Sequence, residues 1–253
     1  MHEFGPGAGR TVVALHGVTG NATVFRRLAP LLPAFRLLAP DLRGHGGSPG
    51  DPPWDLSMHL RDLRDTLDAA GVSRAPFVGF SFGGRLAMEL LAADRSRVEK
   101  LVLLDPAIQL APQRVSELTA QLLADVSWAT ADEAIAARTA AGIAPYAPRE
   151  HWEQWAETLV EGPDGRLRPA FVRPAAITIY SELATPPPPF AALRVPTLLI
   201  TGSESELVTP RQRERYAYEL GDFLTVQAVR AKHNVIADAA AEVAAAIGRF
   251  LAV

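Results

Sequence analysis

The chain contains no cysteine among its 253 residues, which excludes structural disulfides and thiol catalysis. It also lacks any uninterrupted apolar run of the ~18 residues that a membrane-spanning helix needs. The first residues show no charged region followed by an apolar stretch, so no secretion signal is predicted. We therefore expect a cytoplasmic protein without a membrane partner.

Neither sign of charge dominates the sequence. There are 25 basic and 28 acidic residues, interspersed along the chain, and the net charge is −3. Without a basic stripe to neutralise phosphates, nucleic acid is not an expected partner. The histidines have no companions at metal-ligand spacing and no cofactor signature is present, so we expect no metal and no cofactor. The hydrophobic content of 48% suits one α/β domain with an insertion.

The stretch 79–84, Gly-Phe-Ser-Phe-Gly-Gly, is the most informative part of the chain. An apolar run leads into it and a helical pattern over residues 85–93 leaves it, which predicts a strand, a sharp turn and a helix. Gly79 and Gly83 would let the strand and the helix approach each other closely, with Ser81 raised at the turn. We predict that Ser81 is a nucleophile; the alternative is a plain tight turn.

A nucleophilic serine needs a base that accepts its proton. His233 follows a strand-like run over residues 223–229 and precedes an amphipathic helical pattern over residues 239–251, so it falls on a loop. We predict that His233 is this base, the alternative being a solvated surface histidine.

The oxyanion of an attacked carbonyl needs backbone donors. His16 follows the apolar run 11–15 and is expected to order the loop that it begins. We predict that the backbone N–H groups of Val18 and Phe82 form the oxyanion hole. His45 lies in a glycine-rich turn and is interpreted as structural.

Strand-like and helical patterns alternate along most of the chain. The helical pattern over residues 56–70, for example, repeats leucine at steps of three and four residues. Such alternation predicts a parallel sheet covered by helices on both faces. The predicted strands are 11–15, 35–39, 76–80, 98–104, 197–201 and 223–229.

The alternation stops between residues 106 and 190. Helical patterns at 115–124, 130–141 and 151–160 are interrupted by prolines and glycines, and four prolines at 186–189 form a stiff connector. We interpret residues 107–190 as a helical cap over Ser81, and residues 1–106 and 191–253 as the core. The aromatic side chains of this segment suit an apolar substrate, or pack only against each other; they are Trp128, Tyr146, Trp152, Trp155 and Phe171.

Taken in order, these motifs resemble the α/β-hydrolase superfamily. They are His16-Gly17, the glycine-rich turn 41–46, the serine turn at 79–84, the strand end at 101–105 and the late His233. The resemblance implies a three-layer fold with a mostly parallel sheet, an inserted cap, and a serine, an acid and a histidine that meet at one sheet edge. Only ten residues precede the first apolar run, so we expect a shortened amino-terminal edge and six or seven strands.

The sequence departs from the superfamily at the acid. The usual position, three residues after Gly202, is Ser205, which cannot carry the negative charge that stabilises an imidazolium. Some similar proteins keep the acid after the sixth strand, which corresponds to Asp105 here. We favour Asp105 over Glu204 and Glu206; the structural alternative is that Asp105 caps a helix after Pro106.

The resemblance predicts a serine hydrolase that cleaves small-molecule carboxylic esters, or lactones, through Ser81, His233 and Asp105. It leaves open whether the protein is a monomer or a homodimer. A second interpretation is a lyase similar to the menaquinone-pathway 2-succinyl-6-hydroxycyclohexadiene carboxylate (SHCHC) synthases, in which an arginine at the position of Arg85 holds a carboxylate-rich substrate. Arg85 is otherwise a solvated helix residue. A third interpretation is a binding protein without turnover, which would fit if no acid reached His233.

Overall fold

A computed structural model describes residues 1–124 and 126–252 of the chain. Its central sheet has seven strands in the spatial order β1-β3-β2-β4-β5-β8-β9. The strands, in chain order, are β1 (His2–Phe4), β2 (Arg10–Leu15), β3 (Phe35–Ala39), β4 (Ala75–Phe80), β5 (Val98–Leu104), β6 (Val160–Glu161), β7 (Leu167–Arg168), β8 (Thr197–Gly202) and β9 (Leu224–Val229).

Six strands of this sheet run parallel, and β1 pairs antiparallel with β3 at one edge. The mostly parallel sheet, its shortened amino-terminal edge and the expected strand count are confirmed. The two short strands β6 and β7 pair with each other outside the central sheet.

Helices cover both faces of the sheet. Among the described residues none of them has the length and apolar character to cross a membrane. The α-helices are α1 (Leu56–Ala69), α2 (Phe82–Ala93), α3 (Pro112–Leu123), α4 (Ala131–Ala140), α5 (Arg149–Ala156), α6 (Arg173–Glu182), α7 (Pro210–Leu220), α8 (Val235–Asp238) and α9 (Ala240–Ala252).

Alternate side chains of each strand enter two separate apolar cores. Val13 and Leu15 of β2 face the core that contains side chains of α1, α2 and α7. Val12 and Ala14 face the opposite core, which contains side chains of α9 and of the 3-10 turns between β2 and β3. Because both faces of the parallel strands are buried, the strands read as continuous apolar runs.

The segment between β5 and β8 differs in part from the sequence prediction. The helix predicted over residues 151–160 ends at Ala156, and Val160 begins the β6–β7 hairpin. Helix α6 was missed because Pro174 was interpreted as a breaker, whereas it lies in the first turn of the helix, where proline is tolerated.

Candidate active site

Ser81 lies at the turn between β4 and α2 in a backbone conformation that L-residues rarely adopt, with φ 53° and ψ −115°. Its N–H donates to the carbonyl of Leu104 at 3.0 Å, and its own carbonyl accepts from the N–H of Gly84 at 3.0 Å and of Ala107 at 3.1 Å. Such a conformation costs about 1–3 kcal/mol and persists only where surrounding contacts fix it. These hydrogen bonds join the turn to the end of β5.

The glycines around Ser81 are required by close backbone contacts. A Cβ on Gly79 would lie 2.5 Å from the carbonyl oxygen of Gly83, and a Cβ on Gly83 would lie 2.0 Å from the carbonyl oxygen of Leu15. Glycine at 79 therefore lets β4 approach the start of α2, and glycine at 83 lets α2 approach the end of β2. The first of these is the close approach that the sequence predicted.

His233 lies on the loop between β9 and α8, with its ring stacked on that of Phe80 at a centroid distance of 5.0 Å. Its Nε2 is 3.1 Å from Oγ of Ser81, and its Nδ1 is 2.7 Å from Oδ2 of Asp105. The structure thus brings together the three residues that the sequence predicted as nucleophile, base and acid. The arrangement allows the Nδ1–H to donate to the carboxylate while Nε2 accepts from the hydroxyl.

Asp105 is fully buried at the carboxyl end of β5. Besides His233, its carboxylate accepts a hydrogen bond from Oγ of Ser205 at 2.6 Å and a longer one from the N–H of Gly202 at 3.3 Å. These donors offset the cost of burying a carboxylate. Asp105 does not cap a helix, since the next described helix begins at Pro112.

Glu204 and Glu206, the two alternative acids, are exposed on the surface. Glu204 accepts a hydrogen bond from the hydroxyl of Tyr146 at 2.7 Å and lies 3.9 Å from Arg230. Glu206 is exposed. Within the described residues, the carboxylate that reaches His233 is that of Asp105.

His16, on the loop after β2, and His45, on the turn after β3, are both buried. His16 accepts a hydrogen bond from the N–H of Leu42 at Nε2, so its Nδ1 donates to the carbonyl of Gly17. Burial, followed by the nearby His45, lowers the pKa of His16 to about 3, and burial also lowers the pKa of His45. Both rings are neutral at neutral pH, and each ring orders the loop on which it lies.

The predicted oxyanion donors belong to segments that border Ser81. Phe82 is the first residue of α2, where a backbone N–H has no intrahelical acceptor. Val18 follows Gly17, whose position is so close to Ser81 that an added Cβ would lie 2.9 Å from the serine Cβ. The role of both N–H groups remains a prediction.

A cavity of about 490 Å³ opens above Ser81 and His233. Its wall is formed by the loops after β2, β8 and β9, by the serine turn, and by the segment between β5 and β8. Trp152 and Trp155 line the cavity and also pack edge to face on each other at 6.1 Å, so the two rings contact each other as well as the cavity. Phe171 stacks on His45 instead.

The cavity wall is more polar than the sequence predicted. Besides His16 and His233, five cationic or imidazole side chains line it, from the loop segments and from helices α3, α4 and α5; they are Arg27, Arg114, Arg138, His151 and Lys232. Among the described residues, no group of three or more histidine, aspartate and glutamate side chains is arranged to hold a metal ion.

Arg85 does not contribute to this wall. Its side chain is 2% exposed, forms an ion pair with Glu89 at 2.7 Å, and donates to the carbonyls of Thr185 and Pro186 at 3.0 and 2.8 Å. The guanidinium joins α2 to the proline-rich connector. It is neither the solvated residue nor the substrate contact considered from the sequence, so the lyase interpretation loses the contact on which it depended.

The chain is similar in sequence to known hydrolases. A sequence model described as the alpha/beta hydrolase family matches residues 12–246. The lipase LipV of Mycobacterium tuberculosis (strain ATCC 25618 / H37Rv) is 38% identical over 184 residues, which cover 73% of this chain and 70% of LipV. The esterase YbfF of Escherichia coli (strain K12) is 38% identical over 97 residues, or 38% of each chain.

A solved structure has the same fold over nearly the whole chain. The crystal structure of E-2-(acetamidomethylene)succinate hydrolase superposes with a TM-score of 0.87 at 24% identity, covering 99% of this chain and 94% of that one.

Proposed function

The chain belongs to the alpha/beta hydrolase family, and from this membership we propose that it is a serine hydrolase that cleaves carboxylic esters. The observation that carries the proposal is the continuous hydrogen-bonded series from Oγ of Ser81 through His233 to Asp105, with distances of 3.1 and 2.7 Å. Two relatives, the lipase LipV and the esterase YbfF, are named for ester cleavage, which agrees with this proposal. Lactones are cyclic esters and would undergo the same attack.

The first half of the reaction transfers the acyl group to Ser81. His233 Nε2 takes the proton of the hydroxyl as Oγ attacks the ester carbonyl, and the N–H groups of Val18 and Phe82 donate to the oxyanion. His233 then gives the proton to the departing alkoxide, which leaves as the alcohol. Each oxyanion donor of this kind contributes about 3 kcal/mol to catalysis.

The second half releases the acid. His233 accepts a proton from water, the resulting hydroxide attacks the acyl-enzyme, and Oγ of Ser81 leaves with the proton from His233. Asp105 holds the imidazole with hydrogen on Nδ1 and stabilises the imidazolium that forms in both halves. The binding-only interpretation required that no acid contact His233, and the 2.7 Å contact with Asp105 argues against it.

We also propose that residues 107–190 form a cap and that residues 1–106 and 191–253 form the catalytic core. The support is the cavity, whose wall takes Trp152 and Tyr180 from the inserted segment and Ser81 and His233 from the sheet edge. A cap of this kind would determine which acyl and alcohol groups fit.

Two measurements test the proposed function. Wild-type protein should hydrolyse 4-nitrophenyl butyrate and should be labelled at Ser81 by a fluorophosphonate probe, as mapped by mass spectrometry. Ser81→Ala should lose both properties, whereas Ser96→Ala, which removes an exposed hydroxyl outside the cavity wall, should keep both. A folded wild-type protein that neither turns over the ester nor takes the label would overturn the proposal.

A further inference from the structure

Two arginines face the cavity without an anionic partner among the described residues. Arg138 on α4 has its guanidinium over the ring of Trp155, 4.9 Å from the centroid, and its Nε is buried without a hydrogen-bond partner. Arg27 donates to the carbonyl of Ala237 at 2.8 Å and forms no described ion pair. Both side chains line the cavity. Both residues are half-buried, and even partial burial of a guanidinium without a counter-charge is costly, so these two positions need an explanation.

His151 lies close enough to both arginines for their charges to act on it. It is 8% exposed, lines the cavity, and packs edge to face on Trp152 at 5.0 Å. Burial, followed by the charges of Arg27 and Arg138, lowers the pKa of His151 to about 4. The imidazole is therefore neutral at neutral pH, and it adds a hydrogen-bonding group beside two positive charges rather than a third charge.

The remaining charges of the cavity do not neutralise this pair. Arg114 is already paired with Glu117 at 3.1 Å, and Lys232 donates to the carbonyl of Gly142. The cavity wall includes two carboxylates, Glu204 and Glu206, and both are exposed on the loop after β8.

One further carboxylate and one hydroxyl lie near the arginines of the cavity. Glu150, an exposed residue of α5, is the acid with an electrostatic effect on Arg27. The hydroxyl of Tyr180 lies near Arg114 and Arg138, and burial raises its pKa to about 12, so it stays neutral. The inner part of the cavity thus keeps a net positive charge.

We propose that Arg27 and Arg138, together with His151, bind a carboxylate group carried by the ester substrate. A guanidinium is planar and presents its N–H groups at its edge, so Arg138 can stack on Trp155 and still form two parallel hydrogen bonds with a carboxylate. The substrate carboxylate supplies the counter-charge that residues 1–124 and 126–252 do not provide to these two arginines. The inference rests on the proposed ester hydrolysis and specifies its substrate class as carboxylate-bearing esters.

Matched substrates test the proposal. Mono-4-nitrophenyl adipate carries a carboxylate on the acyl half, and 4-nitrophenyl 6-methylheptanoate replaces that carboxylate with an isopropyl group of the same shape. 4-Acetoxybenzoate and 4-isopropylphenyl acetate form the corresponding pair for the alcohol half. We expect wild-type kcat/KM to favour the anionic member in at least one pair.

Matched variants identify the side chains responsible. A hydrogen bond to a charged group corresponds to about a tenfold to hundredfold change in binding. Arg138→Gln and Arg27→Gln should therefore lower the ratio of kcat/KM for the anionic to the neutral ester by about that factor. Arg26→Gln removes the same charge from an exposed residue that is paired with Glu157 and lies outside the cavity wall, and it should leave the ratio unchanged.

Two outcomes would overturn the inference while leaving ester hydrolysis intact. One is a wild-type preference for the neutral member of both pairs, and the other is an equal loss for both members in the arginine variants. If the wild type hydrolyses no ester and Ser81 takes no label, the proposed function fails. The carboxylate site is then tested separately by calorimetric measurement of adipate binding. Binding that weakens at least tenfold in Arg138→Gln supports the carboxylate site, and absence of binding to wild type refutes it.

Discussion

The hydroxyl oxygen of Ser205 lies 2.6 Å from Oδ2 of Asp105, the same oxygen that is 2.7 Å from Nδ1 of His233. Ser205 occupies the position after β8 at which proteins of this family commonly carry the acid, while Asp105 follows β5. Because the ends of β5 and β8 are adjacent in the sheet, both positions point to the same side of the imidazole. The acid could therefore be carried by either strand.

This relationship predicts that the acid can be moved. Asp105→Asn should lower kcat/KM for a 4-nitrophenyl ester about 10⁴-fold, because the imidazole loses its orienting charge. The double variant Asp105→Asn/Ser205→Asp should recover at least tenfold of that loss. Ser205→Asp alone should be less active than wild type, since it sets two carboxylates side by side. A double variant no more active than Asp105→Asn would contradict the prediction.

The backbone contact at Gly83 predicts a large loss of stability on substitution. A Cβ there would lie 2.0 Å from the carbonyl oxygen of Leu15, so Gly83→Ala should lower the free energy of unfolding by about 3 kcal/mol and disturb Ser81. Gly248→Ala is the matched control. Its Cβ would meet Leu32 at an ordinary 3.7 Å within helix α9, and the variant should gain about 0.5–1 kcal/mol. Urea unfolding of both variants measures the difference; equal effects would refute the argument.

The burial of His59 predicts that the protein loses stability at acid pH. It is 1% exposed, packs edge to face on Phe82, and neither ring nitrogen has a hydrogen-bond partner among the described residues. Burial, followed by the charge of His45, lowers the pKa of His59 to about 4. Since the unfolded chain takes up a proton near pH 6.5 and the folded protein near pH 4, stability is full above pH 6.5 and falls as the pH drops towards 4.

Replacement of His59 by leucine removes this proton uptake. Between pH 8 and pH 5 the wild type should lose about 2 kcal/mol through this residue, a loss that His59→Leu should not show. The gain in melting temperature of His59→Leu over wild type should therefore be larger at pH 5 than at pH 8. A difference between the two proteins that is independent of pH would contradict the assignment of the titration to His59.

The contacts of Arg85 predict that its replacement lowers stability and has little effect on ester hydrolysis. Arg85→Met leaves the carbonyls of Thr185 and Pro186 without their donor and Glu89 without its partner, so the free energy of unfolding should fall by about 3 kcal/mol. Ester kcat/KM of the folded variant should stay within about threefold of wild type, as for Arg61→Met on the exposed face of α1. An unchanged stability with a hundredfold loss of kcat/KM would instead indicate a substrate contact.

The serine turn and the strands were predictable because their signals are local. Glycine at positions 79 and 83, an apolar run before Ser81 and a helical pattern after it describe the geometry within a few residues. The order of strand and helix gives the parallel sheet, and the short amino-terminal segment gives the strand count. Each of these inferences needs only the chain itself and the periodicity of regular structure.

The charged side chains of the cavity wall could not be predicted from local signals. Arg27 and Arg138 are far apart in sequence, and whether an acidic side chain of the described residues pairs with them depends on the positions of all those side chains in the fold. The aromatic residues near Trp155 gave the visible signal and favoured an apolar substrate. Likewise, Arg85 was interpreted as a surface residue or a substrate contact because its bonds to Thr185 and Pro186 span a hundred residues.

Strand β1 has a consequence for how molecules of this protein meet. It covers the outer side of β3 with backbone hydrogen bonds, and His2 is also joined to Asp41 at 3.0 Å. An uncovered border strand offers a row of free amides and carbonyls on which a second molecule can assemble. The three residues of β1 therefore leave this flank with a shorter border than the five-residue β3 would offer, and their removal would uncover β3.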